Sequence, residues 1–108
     1  MKKSEKQVKE QIKRWLDKHE CFHCVYNPWL GKAGMPDRYL QIRGYPPIWL
    51  EAKREGKDPT PIQRQVHMDL RRAGCVVGIV RSKEDVIELL DFHNIKLFKK
   101  GEENNGTK

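Results

Sequence analysis

No stretch of this chain is apolar for the roughly 20 residues that a bilayer-spanning helix needs, so no membrane span is expected. The opening run MKKSEKQVKEQ carries lysines with no apolar segment among or behind them, and no secretory leader is expected. Cysteine is scarce too. There are three, an odd number, which fits a reducing compartment better than a disulfide framework. A cytoplasmic location is the resulting expectation. Apolar residues make up only 37% of the 108, enough for one modest core, and no internal repeat or second domain is visible.

What the chain has in excess is positive charge. Lys and Arg number 22 against 15 Asp and Glu, a formal net charge of +7 with a pI near 9.5. A polyanionic partner is the first expectation from such a balance, although a merely soluble basic protein would look the same on charge alone. After Phe98 the segment KKGEENNGTK has no apolar residue. It is expected to be a disordered tail, 99–108, behind a single domain, 1–98.

Hydrophobic spacing sets the order of elements. Ser4 to about His19 reads as a helix: Val8, Ile12, Trp15 and Leu16 form one stripe, with Ser4 and Gln7 as a capping box. At about 100° per residue, Glu5 shares that stripe and Glu10 falls roughly opposite. Glu5 is then either a first-turn charge on the helix dipole or a carboxylate aimed at the end of the sheet. Cys21–Asn27 is a short strand. Its CxxC, with His23 inside, lacks the further ligands zinc would need, since Cys75 is the only other cysteine. Packed strand cysteines are the better reading.

A loop, PWLGKAGMP, follows from Pro28 to Pro36. Its Trp29 could meet a base or cap the core. Asp37–Arg43 and Ile48–Lys53 read as antiparallel strands joined by the turn Gly44-Tyr45-Pro46-Pro47. After the polar loop REGKDP, Thr60 caps a helix running to Ala73, with Pro61 in its first position and Ile62, Val66, Leu70 and Ala73 as its buried stripe. Cys75–Arg81 is a near-continuous apolar strand, parallel and adjacent to Ile48–Lys53 because a helix connects them. Ser82 caps a third helix, with Val86, Leu89 and Leu90 inward. The expected fold is α/β, a mixed central sheet flanked by helices.

The chemistry concentrates in GMPDRYLQIRGYPPIWLEAK, Gly34 to Lys53. Side chains alternate along a strand, so Glu51 and Lys53 share a face, and Asp37 can stand beside them on the neighbouring strand. Oxygen ligands of this kind suit Mg²⁺ or Mn²⁺, which bind through one or two carboxylates with substrate phosphate and water. The Ala52 carbonyl between the charges could be a further ligand. A lysine there can orient water or steady a phosphoryl transition state. A surface salt bridge between Glu51 and Lys53 is the plainer alternative, but an apolar strand ending in two charges would be costly without a role.

Pro36-Asp37 and Glu51-Ala52-Lys53 resemble the two defining elements of the PD-(D/E)XK nuclease superfamily. With Gly34-Met35-Pro36-Asp37, Thr60-Pro61-x-Gln63, Gly74 and Val-Val-Gly-Ile-Val-Arg-Ser in order, residues 4 to 92 are more narrowly similar to a stand-alone VRR-NUC domain. The Val-Arg-Arg element of that family's name is not literally present; the strand ends Val80-Arg81-Ser82. The resemblance implies a restriction-endonuclease-like αβββαβ core and metal-dependent cleavage of DNA. Asp37 and Glu51 would be metal ligands, Lys53 the catalytic lysine, Gln63 an active-site residue and Glu5 a further carboxylate. Gln63 is equally the capping-box partner of Thr60.

Lys32, Arg38, Arg54, Lys57 and Arg81 are the expected DNA contacts, with Arg81 equally readable as a surface arginine. Members of this kind resemble junction-resolving enzymes. A homodimer acting on branched DNA such as Holliday junctions is therefore expected, in a bacterial or phage-infected cell, with no organic cofactor. A nicking or restriction-type nuclease without branch preference and a non-catalytic DNA-binding module are the alternatives.

Overall fold

The structure, a computed structural model, describes residues 2–27, 29 and 31–101. Pro28 and Leu30 of the expected loop and residues 102–108 of the expected tail lie outside them. Ser4 starts the first helix as its sequence dictates. Its hydroxyl accepts from the Gln7 N–H at 3.1 Å while its own N–H donates to Gln7 Oε1 at 2.8 Å. Helix α1 runs Glu5–Asp17 and buries Val8, Ile12 and Leu16. It stops two residues short of His19, which is buried with Nδ1 2.7 Å from the Trp15 carbonyl oxygen.

Three strands follow, β1 Phe22–Val25, β2 Arg38–Gln41 and β3 Ile48–Ala52. Helix α2, Pro61–Arg72, then carries the chain to β4, Val76–Val80, and α3, Lys83–Phe92, closes the order. The four strands form one sheet in the order β1-β2-β3-β4, antiparallel except for the parallel pair β3 and β4. The helical crossover makes that last pair parallel, as expected from its length. The protein is thus a small α/β fold, a mixed four-stranded sheet with three helices.

The sheet separates two layers. Leu40, Ile48, Leu50, Val76 and Val80 face the main core with Val8, Ile12 and Leu16 of α1 and Val86 and Leu90 of α3. On the other face α2 buries Val66 and His67. This corrects the expected stripe of α2: Ile62 is 55% exposed and Ala73 is an exposed C-cap. The Ile62 side chain and Ala73 turn to solvent, although the first and last turns still reach the sheet through Gln63 and Arg71.

The last residues described are not detached. Lys99 bridges to His19, and the Lys100 N–H donates to the Lys18 carbonyl at 3.0 Å. Among the described residues no helix is long and apolar enough to cross a membrane.

Candidate active site

The turn before β2 sets the first carboxylate. Gly34 has φ +86°, and a Cβ there would come within 2.9 Å of both the Ile62 carbonyl oxygen and Val66 Cγ2. Glycine is therefore demanded twice, by the left-handed backbone and by the close approach of α2. Pro36 is buried behind it. Asp37 comes next, one residue before the strand, and Tyr26 donates its N–H to the Asp37 carbonyl at 2.7 Å. Asp37 Oδ2 accepts the Ala52 N–H at 2.6 Å, which ties the turn to the end of β3.

Register does the rest. Arg38 pairs with Leu50 and Tyr39 with Trp49. The ladder ends there, and Asp37, just beyond it, is close enough to Glu51 for its charge to act on that carboxyl.

Glu51 is 1% exposed, an unusual place for a carboxylate. Helix α2 supplies two groups to it from one turn apart. Gln63 Nε2 donates to Oε2 at 3.4 Å, and His67 Nε2 lies 3.4 Å from Oε1. Lys53 Nζ is 4.0 Å from Oε2. Burial pushes the Glu51 carboxyl above the usual range, and the nearby Asp37 charge pushes the same way, against the opposing pull of His67 and Lys53. Asp37, Glu51, Lys53 and Gln63, all expected at the site, are therefore brought together.

Gln63 makes two contacts at once. Its Oε1 accepts the Thr60 N–H at 2.9 Å, closing the α2 capping box, while its Nε2 meets Glu51.

Glu5 does not touch the two carboxylates. It pairs with Lys9 across one helical turn at 3.3 Å, and Lys9 Nζ in turn lies 3.6 Å from Asp37 Oδ1. Burial lowers the Lys9 pKa, but the Asp37 and Glu5 charges outweigh it and leave it raised. His67 and Lys9 are the two neighbours that sequence reading missed. His67 lies four residues after Gln63, on the same helix face, which is the only signal that could have found it.

The two carboxylates of Asp37 and Glu51 are hard-oxygen donors. Burial raises the Glu51 pKa, and a divalent cation beside it would offset the cost of its charged form, so these residues fit Mg²⁺ or Mn²⁺. Among the described residues no group of three or more His, Cys, Asp or Glu side chains is arranged to hold a metal ion. A cation here would therefore complete its shell with water and phosphate, as Mg²⁺ usually does.

The expected DNA contacts divide. Lys32, Arg54 and Lys57 are exposed in loops. Arg38 alternates onto the opposite sheet face, where its Nη1 lies 2.8 Å from His23 Nδ1. Arg81 Nη2 donates to the Lys57 carbonyl at 2.7 Å and pairs with Asp58 at 3.3 Å, which fastens the β3–α2 loop to the end of β4.

The cysteines divide as well. Cys21 is half-buried, its thiol pushed up to about 11 by burial. Cys24 is exposed, against the expectation of packing, because β1 is the sheet edge that α2 leaves uncovered. On that uncovered face a row of rings leads away from the carboxylates. Trp49 and Tyr39 centroids are 5.2 Å apart, Tyr39 and Phe22 6.1 Å, and Phe22 is 60% exposed. In comparisons with known proteins, no family model matches this chain and no curated protein matches it.

Proposed function

We propose that this protein is a Mg²⁺- or Mn²⁺-dependent endodeoxyribonuclease of the PD-(D/E)XK type, built as a stand-alone VRR-NUC-like domain on a restriction-endonuclease-like core. One observation carries the reading. Glu51 is buried beside Asp37 at the end of an apolar strand, with Lys53 Nζ 4.0 Å away. A buried carboxylate with a raised pKa costs stability in the absence of a compensating charge, and such a group concentrates at functional sites. The order α-β-β-β-α-β-α and the mixed sheet support the same reading.

Asp37, Glu51 and the Ala52 carbonyl would hold the cation. When bound, Mg²⁺ or Mn²⁺ supplies charge neutralisation at the phosphate and activation of water. The chain's own groups do the rest. Lys53 offers an ammonium to the phosphoryl oxygens or to the attacking water, where charge develops in the transition state. Gln63 and His67 hold the two oxygens of Glu51 from α2, which fixes the carboxylate's direction. Lys9 steadies Asp37 from α1.

Branched DNA as a homodimer is the substrate and assembly we infer. Cutting two strands takes two such sites, and half-buried Trp49 and Tyr39 with exposed Phe22 offer an aromatic surface on the uncovered part of the sheet where a second copy could pack. The test is cleavage of duplex, flap, splayed and four-way DNA with Mg²⁺ and Mn²⁺. Lys53→Ala is expected to abolish cleavage, a loss of at least a hundredfold, while DNA binding stays near wild type. A variant that cleaves normally would overturn the assignment. Wild type that binds DNA and cleaves none of the four would leave a non-catalytic DNA-binding module.

A further inference from the structure

The outer face of α1 forms a groove of about 960 Å³ with the start of α3. Lys3, Lys6, Arg14, Lys18 and Lys83 line it, against one carboxylate, Glu10. Among the described residues none of these five cations is in an ion pair. The contrast on the same helix is direct. Lys9 is paired with Glu5 at 3.3 Å, and Lys13 with Asp17 at 2.9 Å. Most of the protein's excess positive charge that borders α1 is therefore gathered, unneutralised, on one side of it.

That side is not the one that serves Asp37. Arg14 lies about 140° around the helix from Lys9, at about 100° per residue. From Lys3 to Lys18 the track is roughly 20 Å long at about 1.5 Å per residue. DNA rises about 3.4 Å per base pair, so the track matches about six base pairs of one backbone. The Gln11 amide, accepting the Lys83 N–H at 3.0 Å, locks α3 against α1 and holds both walls of the groove together. Lys6 lies only about 60° from Lys9, but Arg14 and Lys18 face away from Lys9, the α1 cation that meets Asp37, so that end of the track is turned from the carboxylates.

We propose that this groove binds the phosphate backbone of a second DNA segment, one arm of a branched molecule whose other arm occupies the Asp37–Glu51 site. The inference rests on the nuclease reading for the first arm and goes beyond it in assigning the second. None of the cations in the groove belongs to the active site, and none is among the DNA contacts expected from sequence. Recognition there is electrostatic and indifferent to base sequence, since lysine and arginine on an open groove meet phosphates without reading base edges.

The experiment uses the full chain with Lys53→Ala in every protein, so that DNA stays intact. Affinity for a four-way junction and for a linear duplex of equal length is measured by fluorescence anisotropy in Mg²⁺ across a salt series. Adding Arg14→Glu, Lys18→Glu and Lys83→Glu is expected to weaken junction binding at least tenfold. The slope of log K against log salt should fall by about 2 to 3, near 0.9 per lost phosphate contact. Duplex binding should change less than threefold. The three sites are on the surface, and the milder Arg14→Ala/Lys18→Ala/Lys83→Ala protein gives an intermediate loss if the effect is charge and not misfolding.

Equal losses on junction and duplex, or no loss on either, overturn the second-arm assignment. So does unchanged DNA binding with lost adhesion to phosphatidylserine vesicles, which would make the groove a membrane contact. If wild type cleaves nothing yet the junction-specific loss appears, the groove stands and the nuclease reading falls.

Discussion

Glu51 sets the energetics at the residue scale. Its carboxyl titrates above the ordinary 4.5 because it is buried, so the folded state holds its proton more tightly than the unfolded chain does. The sign follows from linkage: stability falls as pH rises from about 4.5 through the raised folded value, and the penalty stays at neutral pH. Glu51→Gln removes that penalty. It is expected to stabilise the metal-free protein at pH above that titration, read as a higher Tm in EDTA. Mn²⁺ should raise the Tm of wild type, increasingly so across the same pH window, and leave Glu51→Gln unmoved. A variant less stable than wild type in EDTA would show that the buried charge is not the liability described. His67 belongs to the same account, because a buried imidazole beside a buried carboxylate satisfies a lone pair that an apolar residue would strand.

At the scale of elements, α2 positions the site and the Gly34 turn positions α2. Gly34→Ala would need a left-handed alanine and would press a methyl into the Ile62 carbonyl and Val66. A cost of about 2 kcal/mol is expected from strain and overpacking. Because the displaced helix carries Gln63 and His67, Mn²⁺ affinity should fall with it, measured by calorimetry on the folded fraction. Unchanged affinity with lowered Tm would confine the turn's role to stability.

The elements were largely legible beforehand because their signals are local. Two capping boxes, the alternation in IWLEAK and the apolar run VVGIV each state their structure within a few residues. The closeness of Asp37 to Glu51 was legible for the same reason, since a short turn leaves little freedom of register. What lay hidden depends on where α2 stops covering the sheet. That geometry exposes Ile62, Cys24 and Phe22, and no period in the chain encodes their exposure. Lys9 was hidden because its partners come from its own helix and from a loop 28 residues away in sequence.

For the whole molecule, the open aromatic face predicts self-association. Phe22→Glu places a charge on its exposed end, and the expected outcome is a shift from dimer to monomer in sedimentation at micromolar concentration, with the Tm of the monomeric unit little changed. A wild-type protein that is monomeric throughout, with cleavage intact, would remove the dimer. Gln63 carries a different consequence. Its amide oxygen fastens the first turn of α2 while its amide nitrogen meets Glu51, so any partner that draws it off Thr60 must also loosen that helix end. The side chain thus ties the order of that helix end to whatever happens at Glu51.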